Sequence, residues 1–184
     1  RNGALPLHRP LYTHQAEALR TARQGRPAVL ITAGTGAGKT ESFLLPTLAE
    51  LWSTKAESTG IRALILYPMN ALVNDQVDRL YRWLAGQRRL RFTHFTGETP
   101  EDGAKASKQG FTKGEPARCR SRQEARGLED SQGRAVKPES RLPVPDILVT
   151  NYSMLEYMLA RPQDAVFFGP NLQTVILDEA HLYT

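Results

Sequence analysis

Lys39 and Thr40 close the run Ala33-Gly34-Thr35-Gly36-Ala37-Gly38-Lys39-Thr40. Glycines at alternate positions let the backbone turn successive N–H groups inward, which makes a nest for an anion. The apolar run Ala28-Val29-Leu30-Ile31 precedes it and the helix-compatible Glu41-Ser42-Phe43-Leu44-Leu45 follows. Strand, glycine-rich turn, helix is the setting of a phosphate-binding loop. The helix that follows adds the positive end of its dipole. Lys39 can reach the outer phosphates, and the Thr40 hydroxyl can ligate Mg²⁺. Ala33 stands where the strict pattern has glycine and is small enough for the role. The plain alternative is an ordinary glycine-rich loop; Gly-Lys-Thr in register between these flanks weighs against it.

A second cluster with chemistry in it is Asp178-Glu179, directly after the apolar Thr174-Val175-Ile176-Leu177. A carboxylate at a strand end opposite a phosphate loop can hold Mg²⁺, usually through water. The adjacent acid can orient and deprotonate the water that attacks a γ-phosphate. Lys39, Asp178 and Glu179 are therefore the catalytic candidates, and Thr40 and Asp178 the metal candidates. The alternative is a solvated acidic turn. The expectation is that Lys39 and the acidic pair converge on one magnesium-bound triphosphate.

The elements that must position these residues follow from the pattern. Thr13 is an N-cap candidate for a helix over 14–24, ended by Gly25 and Pro27. A first strand is expected at 28–32. Phe43, Leu44, Leu48, Leu51 and Trp52 give the next helix one buried face, and Pro46 is a kink site. Ala63–Tyr67 is a continuous apolar run, as in a strand buried on both faces. Val73, Val77, Leu80 and Leu84 stripe a helix over 70–85. Phe92–Phe95 reads as a short strand, 146–150 as another, 151–159 as a helix and 174–177 as the last strand. Residues 163–173 read as a linker with one helical turn. Alternating strands and helices give an α/β fold with a parallel sheet and helices on both faces. Ligands of such sheets bind beyond the carboxyl ends of the strands.

Residues 101–143 interrupt this pattern. They are rich in Lys, Arg, Glu, Gly, Ser and Gln and nearly free of large apolar side chains. Such a composition buries too little surface to order itself, so a flexible insertion is expected here.

The 184 residues suit one domain, with 40% hydrophobic content. No apolar run approaches the ~20 residues of a membrane span. The first residues carry no apolar signal stretch, and a single cysteine, Cys119, excludes an internal disulfide and a cysteine-only metal cluster. A reducing, cytoplasmic setting is the simplest fit. The net charge of +5 is compatible with a polyanionic partner and equally with a basic surface that has none.

The ordered motifs together resemble the first RecA-like domain of superfamily-two helicases of the DEAH-box type, from residue 11 to the last residue apart from the insertion. The resemblance implies a P-loop NTPase with ATP and Mg²⁺ as its cofactors. Tyr12 and Gln15 would contact adenine. Gly34, Thr35, Gly36, Ala37, Gly38, Lys39, Thr40 and Glu41 would form the nucleotide-binding loop and helix start. Asp178-Glu179-Ala180-His181 matches the second motif, with His181 linking the nucleotide site to a partner domain. Pro68-Met69-Asn70-Ala71, Thr96-Gly97-Glu98 and Thr150-Asn151-Tyr152 look like the loops that hold the sugar-phosphate backbone of a single strand. Backbone amides and small hydroxyls at helix N-termini suit that task, and they carry no sequence code. Each loop alone could equally be a strand end or core.

The wording of these motifs is most similar to a bacterial group of large helicases that includes MrfA-like repair helicases and helicase subunits of anti-phage systems such as DISARM. The implied partners are single-stranded or partly duplex nucleic acid, with DNA the first choice, a second RecA-like domain of the same polypeptide, and proteins of a larger complex. The resemblance implies that the arginine finger lies in that second domain, beyond Thr184, so weak or absent ATPase is expected of this stretch alone. The rival readings are a phosphate-loop enzyme acting on a small molecule, such as a kinase, and a non-catalytic nucleic-acid-binding scaffold.

Overall fold

The computed structural model describes residues 10–25, 28–32, 36–54 and 60–183, without the side chains of Ala71 and Tyr183. The chain divides into two compact units, with the boundary between residues 56 and 57.

The first unit contains two helices, α1 (Thr13–Arg23) and α2 (Lys39–Ser53), which pack on each other. Helix α1 starts one residue earlier than expected, with Tyr12 rather than Thr13 in the capping position. Pro46 lies inside α2, and Leu44 and Leu51 are its most buried apolar side chains. The expected strand at 28–32 is not formed: this run has no regular structure, and Leu30 is 83% exposed. An apolar run becomes a strand only where a neighbour takes up its backbone groups, and 28–32 enters no ladder among the described residues.

The second unit is a five-stranded parallel sheet with helices, a RecA-like α/β fold. Its elements in chain order are β1 (Ala63–Tyr67), α3 (Asn70–Leu84), β2 (Phe92–Phe95), α4 (Gly103–Lys108), β3 (Arg118–Cys119), α5 (Arg122–Ala125), β4 (Ile147–Asn151), α6 (Tyr152–Leu159) and β5 (Thr174–Leu177), with a 3-10 helix at Pro162–Phe167. The spatial order is β3-β2-β4-β1-β5, with every pairing parallel. The two strands β1 and β4 are almost entirely buried, and Ala63–Leu66 and Ile147–Val149 are apolar without a break, as a sheet covered on both faces requires.

The register sorts the side chains onto the two faces. Leu64, Leu66, Leu148, Phe95 and Cys119 share one face, and their core continues into Ala125 of α5, Met158 of α6 and Phe167. Ala63, Ile65, Tyr67, Ile147, Val149, Phe92 and His94 point to the other face. The buried stripe Val73, Val77, Leu80 and Leu84 of α3, which contacts β1 and β4, covers it. No helix among the described residues is long and apolar enough to cross a membrane.

Segment 101–143 departs most from expectation. Instead of a structureless insertion it supplies α4, β3 and α5, and β3 is an edge strand of the sheet. Beside the small apolar Ala106, Ala117, Cys119 and Ala125 it buries charged residues: Arg120, Glu124 and Arg126 are 1–2% exposed. Arg120 Nε lies 3.4 Å from Glu124 Oε2, and Arg126 Nε lies 2.8 Å from Asp164 Oδ1. Buried charges of opposite sign thus sit beside one another in this segment.

Candidate nucleotide and nucleic-acid site

In the first unit the candidate nucleotide residues are joined by one side chain. Gln15 is the third residue of α1 and is buried. Its Oε1 accepts from the Tyr12 N–H at 3.0 Å, and its Nε2 donates to the Gly38 carbonyl at 3.1 Å. The first bond satisfies a donor that a helix start leaves without a partner. The second ties α1 to the glycine-rich turn. The Tyr12 ring is 62% exposed and stacks on His14 with centroids 5.7 Å apart.

Gly36 and Gly38 both have φ of +76°, the left-handed region that glycine adopts freely. At Gly38 a Cβ would also come within 2.5 Å of Gln15 Nε2 and displace that amide, while the positive φ is what favours glycine there. Gly38 caps α2, which places Lys39, Thr40 and Glu41 in the first helical turn. Ala37 is half-buried between the two glycines. Gly34 and Thr35 lie outside the described residues. Left-handed glycines leading into a 15-residue helix that opens on Lys and Thr are the right donor set for phosphates and Mg²⁺.

In the second unit Asp178 and Glu179 leave the carboxyl end of β5. The Asp178 N–H donates to the Leu66 carbonyl at 3.0 Å, which extends the β1–β5 ladder by one residue and fixes where this carboxylate starts. Glu179 has φ of +49°, the one non-glycine residue with positive φ among those described. Glutamate gains nothing locally from that conformation, and such strain concentrates at functional sites. His181 Nδ1 lies 3.6 Å from Glu179 Oε2.

The loops after β1, β2 and β4 come together because those strands are neighbours in the sheet. Asn151 Nδ2 donates to Asn70 Oδ1 at 2.5 Å, joining two of the loops. Asn151 Oδ1 accepts from the Met154 N–H at 2.7 Å and caps α6. The third loop is joined through Thr150, whose hydroxyl donates to the Phe95 carbonyl at 2.5 Å. Not every candidate faces outward. Thr150 and Thr96 are buried, and their hydroxyls are spent inside the protein, Thr96 Oγ1 accepting from the Glu98 N–H at 3.3 Å. Met69, Gly97 and Tyr152 are exposed, and Pro68 and Asn70 are half-buried. Ala71 is the second residue of α3.

The residues that the sequence did not single out are Arg122 and Arg126. Arg122 Nη2 donates to the Thr96 carbonyl at 2.8 Å. Nothing in a mixed-charge stretch marks one arginine as inward-facing; the only signal was the basic bias of the segment.

Comparison with known proteins places the chain in a family. The family model for DEAD/DEAH box helicases matches residues 12–184. The Druantia protein DruE of Escherichia coli (strain UMEA 4076-1) is 29% identical over 96% of this chain, which spans 14% of that protein. ATP-dependent RNA helicase ROK1 of Eremothecium gossypii is 41% identical over 64 residues, 35% of this chain and 11% of its own length. A probable ATP-dependent RNA helicase, ddx27 of Dictyostelium discoideum, is 45% identical over 58 residues, 32% of this chain and 7% of its own length. The chain thus spans a small part of each relative. With a family match over nearly its whole length, the chain belongs to the DEAD/DEAH box helicase family.

Proposed function

We propose that this chain is the ATP-binding motor domain of a nucleic-acid helicase or translocase. Lys39 and Thr40 serve the phosphates and Mg²⁺ of ATP, and Asp178 and Glu179 serve the metal and the attacking water. Tyr12 and Gln15 hold the adenine, and Gly34, Thr35, Gly36, Ala37 and Gly38 cradle the phosphates. Thr40 and Asp178 are the residues that would hold Mg²⁺, which would supply charge neutralisation on the phosphate oxygens. Glu179 accepts the proton of the attacking water. His181 carries the state of this site to a second RecA-like domain, which turnover requires.

The exposed parts of the loops after β1, β2 and β4 grip the backbone of a single strand, with DNA the first choice. The observation that carries the reading is that these three loops sit at the same end of one parallel sheet as Asp178 and Glu179. The likeness to the Druantia protein DruE supports a place among large bacterial helicases.

The test is ATP turnover by the intact polypeptide with and without single-stranded DNA and RNA, beside Lys39→Ala. Stimulated turnover that Lys39→Ala abolishes, together with its nucleotide binding, supports the proposal. Turnover indifferent to both nucleic acids, or binding of nucleotide without Lys39, sinks it.

A further inference from the structure

Segment 101–143 reaches the loop after β2 through one side chain. Arg122 is the first residue of α5. Its Nη2 donates to the Thr96 carbonyl at 2.8 Å, and its guanidinium lies 5.1 Å from the centroid of the Phe95 ring. The far end of the loop is tied to the same helix start: the Arg122 N–H donates to the Pro100 carbonyl at 2.8 Å and the Gln123 N–H to the Glu101 carbonyl at 2.9 Å. The loop that carries Thr96, Gly97 and Glu98 is therefore held at both ends by α5.

Arg122 is itself held. Its Nη1 lies 3.6 Å from Glu101 Oε2, and the other oxygen of Glu101 accepts from Arg126 Nη1 at 2.8 Å. Arg126 also donates from Nε to the fully buried Asp164 at 2.8 Å. Asp164 Oδ2 lies 3.7 Å from Arg161 Nε, and the Arg161 guanidinium lies 5.7 Å from the Tyr157 ring of α6. One chain of alternating charges runs from the loop after β2 to the helix that opens at Tyr152. The side chain of Arg122 is only 15% exposed, and its fork is committed to a carbonyl and a carboxylate. A guanidinium used this way sets geometry and is not available to a phosphate.

We propose that segment 101–143 braces the nucleic-acid grip. Arg122 is a positioning residue that holds the Thr96–Gly97–Glu98 loop in its presenting conformation, and Arg126 fixes Arg122 through Glu101. This rests on the reading of that loop as part of a nucleic-acid face.

The test uses the intact polypeptide, a fluorescent single-stranded DNA, a salt series, and the variants Arg122→Met and Arg122→Lys. Met keeps an unbranched side chain of similar length and removes the donors; Lys keeps a cationic donor group without the planar fork. Expected for Arg122→Met are a five- to tenfold loss of single-strand affinity, unchanged nucleotide affinity, and faster amide exchange at residues 96–99. Arg122→Lys restores part of the affinity. The slope of log affinity against log salt stays that of the wild type, whereas a lost phosphate contact would lower it by about 0.7. Wild-type affinity in Arg122→Met, or a slope reduced by that amount, overturns the brace. Absence of single-strand binding in the wild-type protein overturns the underlying reading instead. If Arg122→Met does not fold, Glu101→Gln carries the same test, because it loosens Arg122 without removing it.

Discussion

Gln15 Nε2 donates to the Gly38 carbonyl at 3.1 Å while its Oε1 accepts from the Tyr12 N–H at 3.0 Å. One amide thus fixes the start of α1 against the turn that precedes Lys39. Removing it should disturb both ends of the proposed nucleotide site. Two hydrogen bonds worth about 1 kcal/mol each are lost in Gln15→Ala. The expected result is a nucleotide affinity roughly tenfold weaker by titration calorimetry. Gly38→Ala should do worse, because its φ of +76° disfavours any side chain and the added Cβ would also push the Gln15 amide away. Unchanged affinity in both variants would show that this bridge plays no part in binding.

Glu179 holds φ of +49° without being glycine. That conformation costs on the order of 1 kcal/mol. Asn tolerates it better, so Glu179→Asn should raise thermal stability slightly while it abolishes ATP hydrolysis. Glu179→Gln should keep nucleotide binding and lose turnover. Near-normal turnover in either variant would mean that another group takes the proton.

The motifs and most elements were legible because their signals are local. Ala63–Tyr67 and Phe92–Phe95 appear with the bounds expected: the first is an uninterrupted apolar run ended by Pro68, the second a short β-prone run with a phenylalanine at each end, closed by Thr96-Gly97. Residues 28–32 look equally apolar, yet they form no strand, because pairing depends on a neighbour that a linear pattern does not specify. Segment 101–143 misled for the opposite reason. Composition assumes that charges face water, whereas Arg120, Glu124 and Arg126 are folded inward on partners, one of which, Asp164, lies far along the chain. At the site, the sequence marked Thr96 and Thr150 as contacts, but their hydroxyls serve the scaffold, and exposure falls to Gly97 and Tyr152.

His94 carries a pH dependence. It lies buried on the α3 face, and burial, reinforced by Arg118, lowers its pKa to about 3. The unfolded chain takes up a proton near pH 6.5, while the folded protein does not until about pH 3. More protons bind to the unfolded state throughout that window, so this residue's contribution is full above pH 6.5 and is lost as pH falls. The slope approaches about 1.4 kcal/mol per pH unit in the middle of the window. Denaturant titrations at pH 7, 6, 5 and 4 should show a steeper loss for the wild type than for His94→Leu. Parallel curves would remove His94 as the cause.

Asn151 separates scaffold from grip. Its Oδ1 caps α6 through the Met154 N–H at 2.7 Å, and its Nδ2 donates to Asn70 at 2.5 Å. Asn151→Ala loses both and should cost about 1 kcal/mol or more of stability. Asn151→Asp keeps an oxygen for the cap, and a turned Asn70 amide can donate to the new carboxylate. Stability should then stay within about 0.5 kcal/mol of the wild type, since Asp caps as well as Asn. The added negative charge, however, stands between the loops after β1 and β4, where a phosphate backbone is expected. Single-stranded DNA affinity should drop at least tenfold in Asn151→Asp, with thermal stability nearly unchanged. A stable Asn151→Asp protein that binds the strand as tightly as the wild type would move the backbone path away from these two loops.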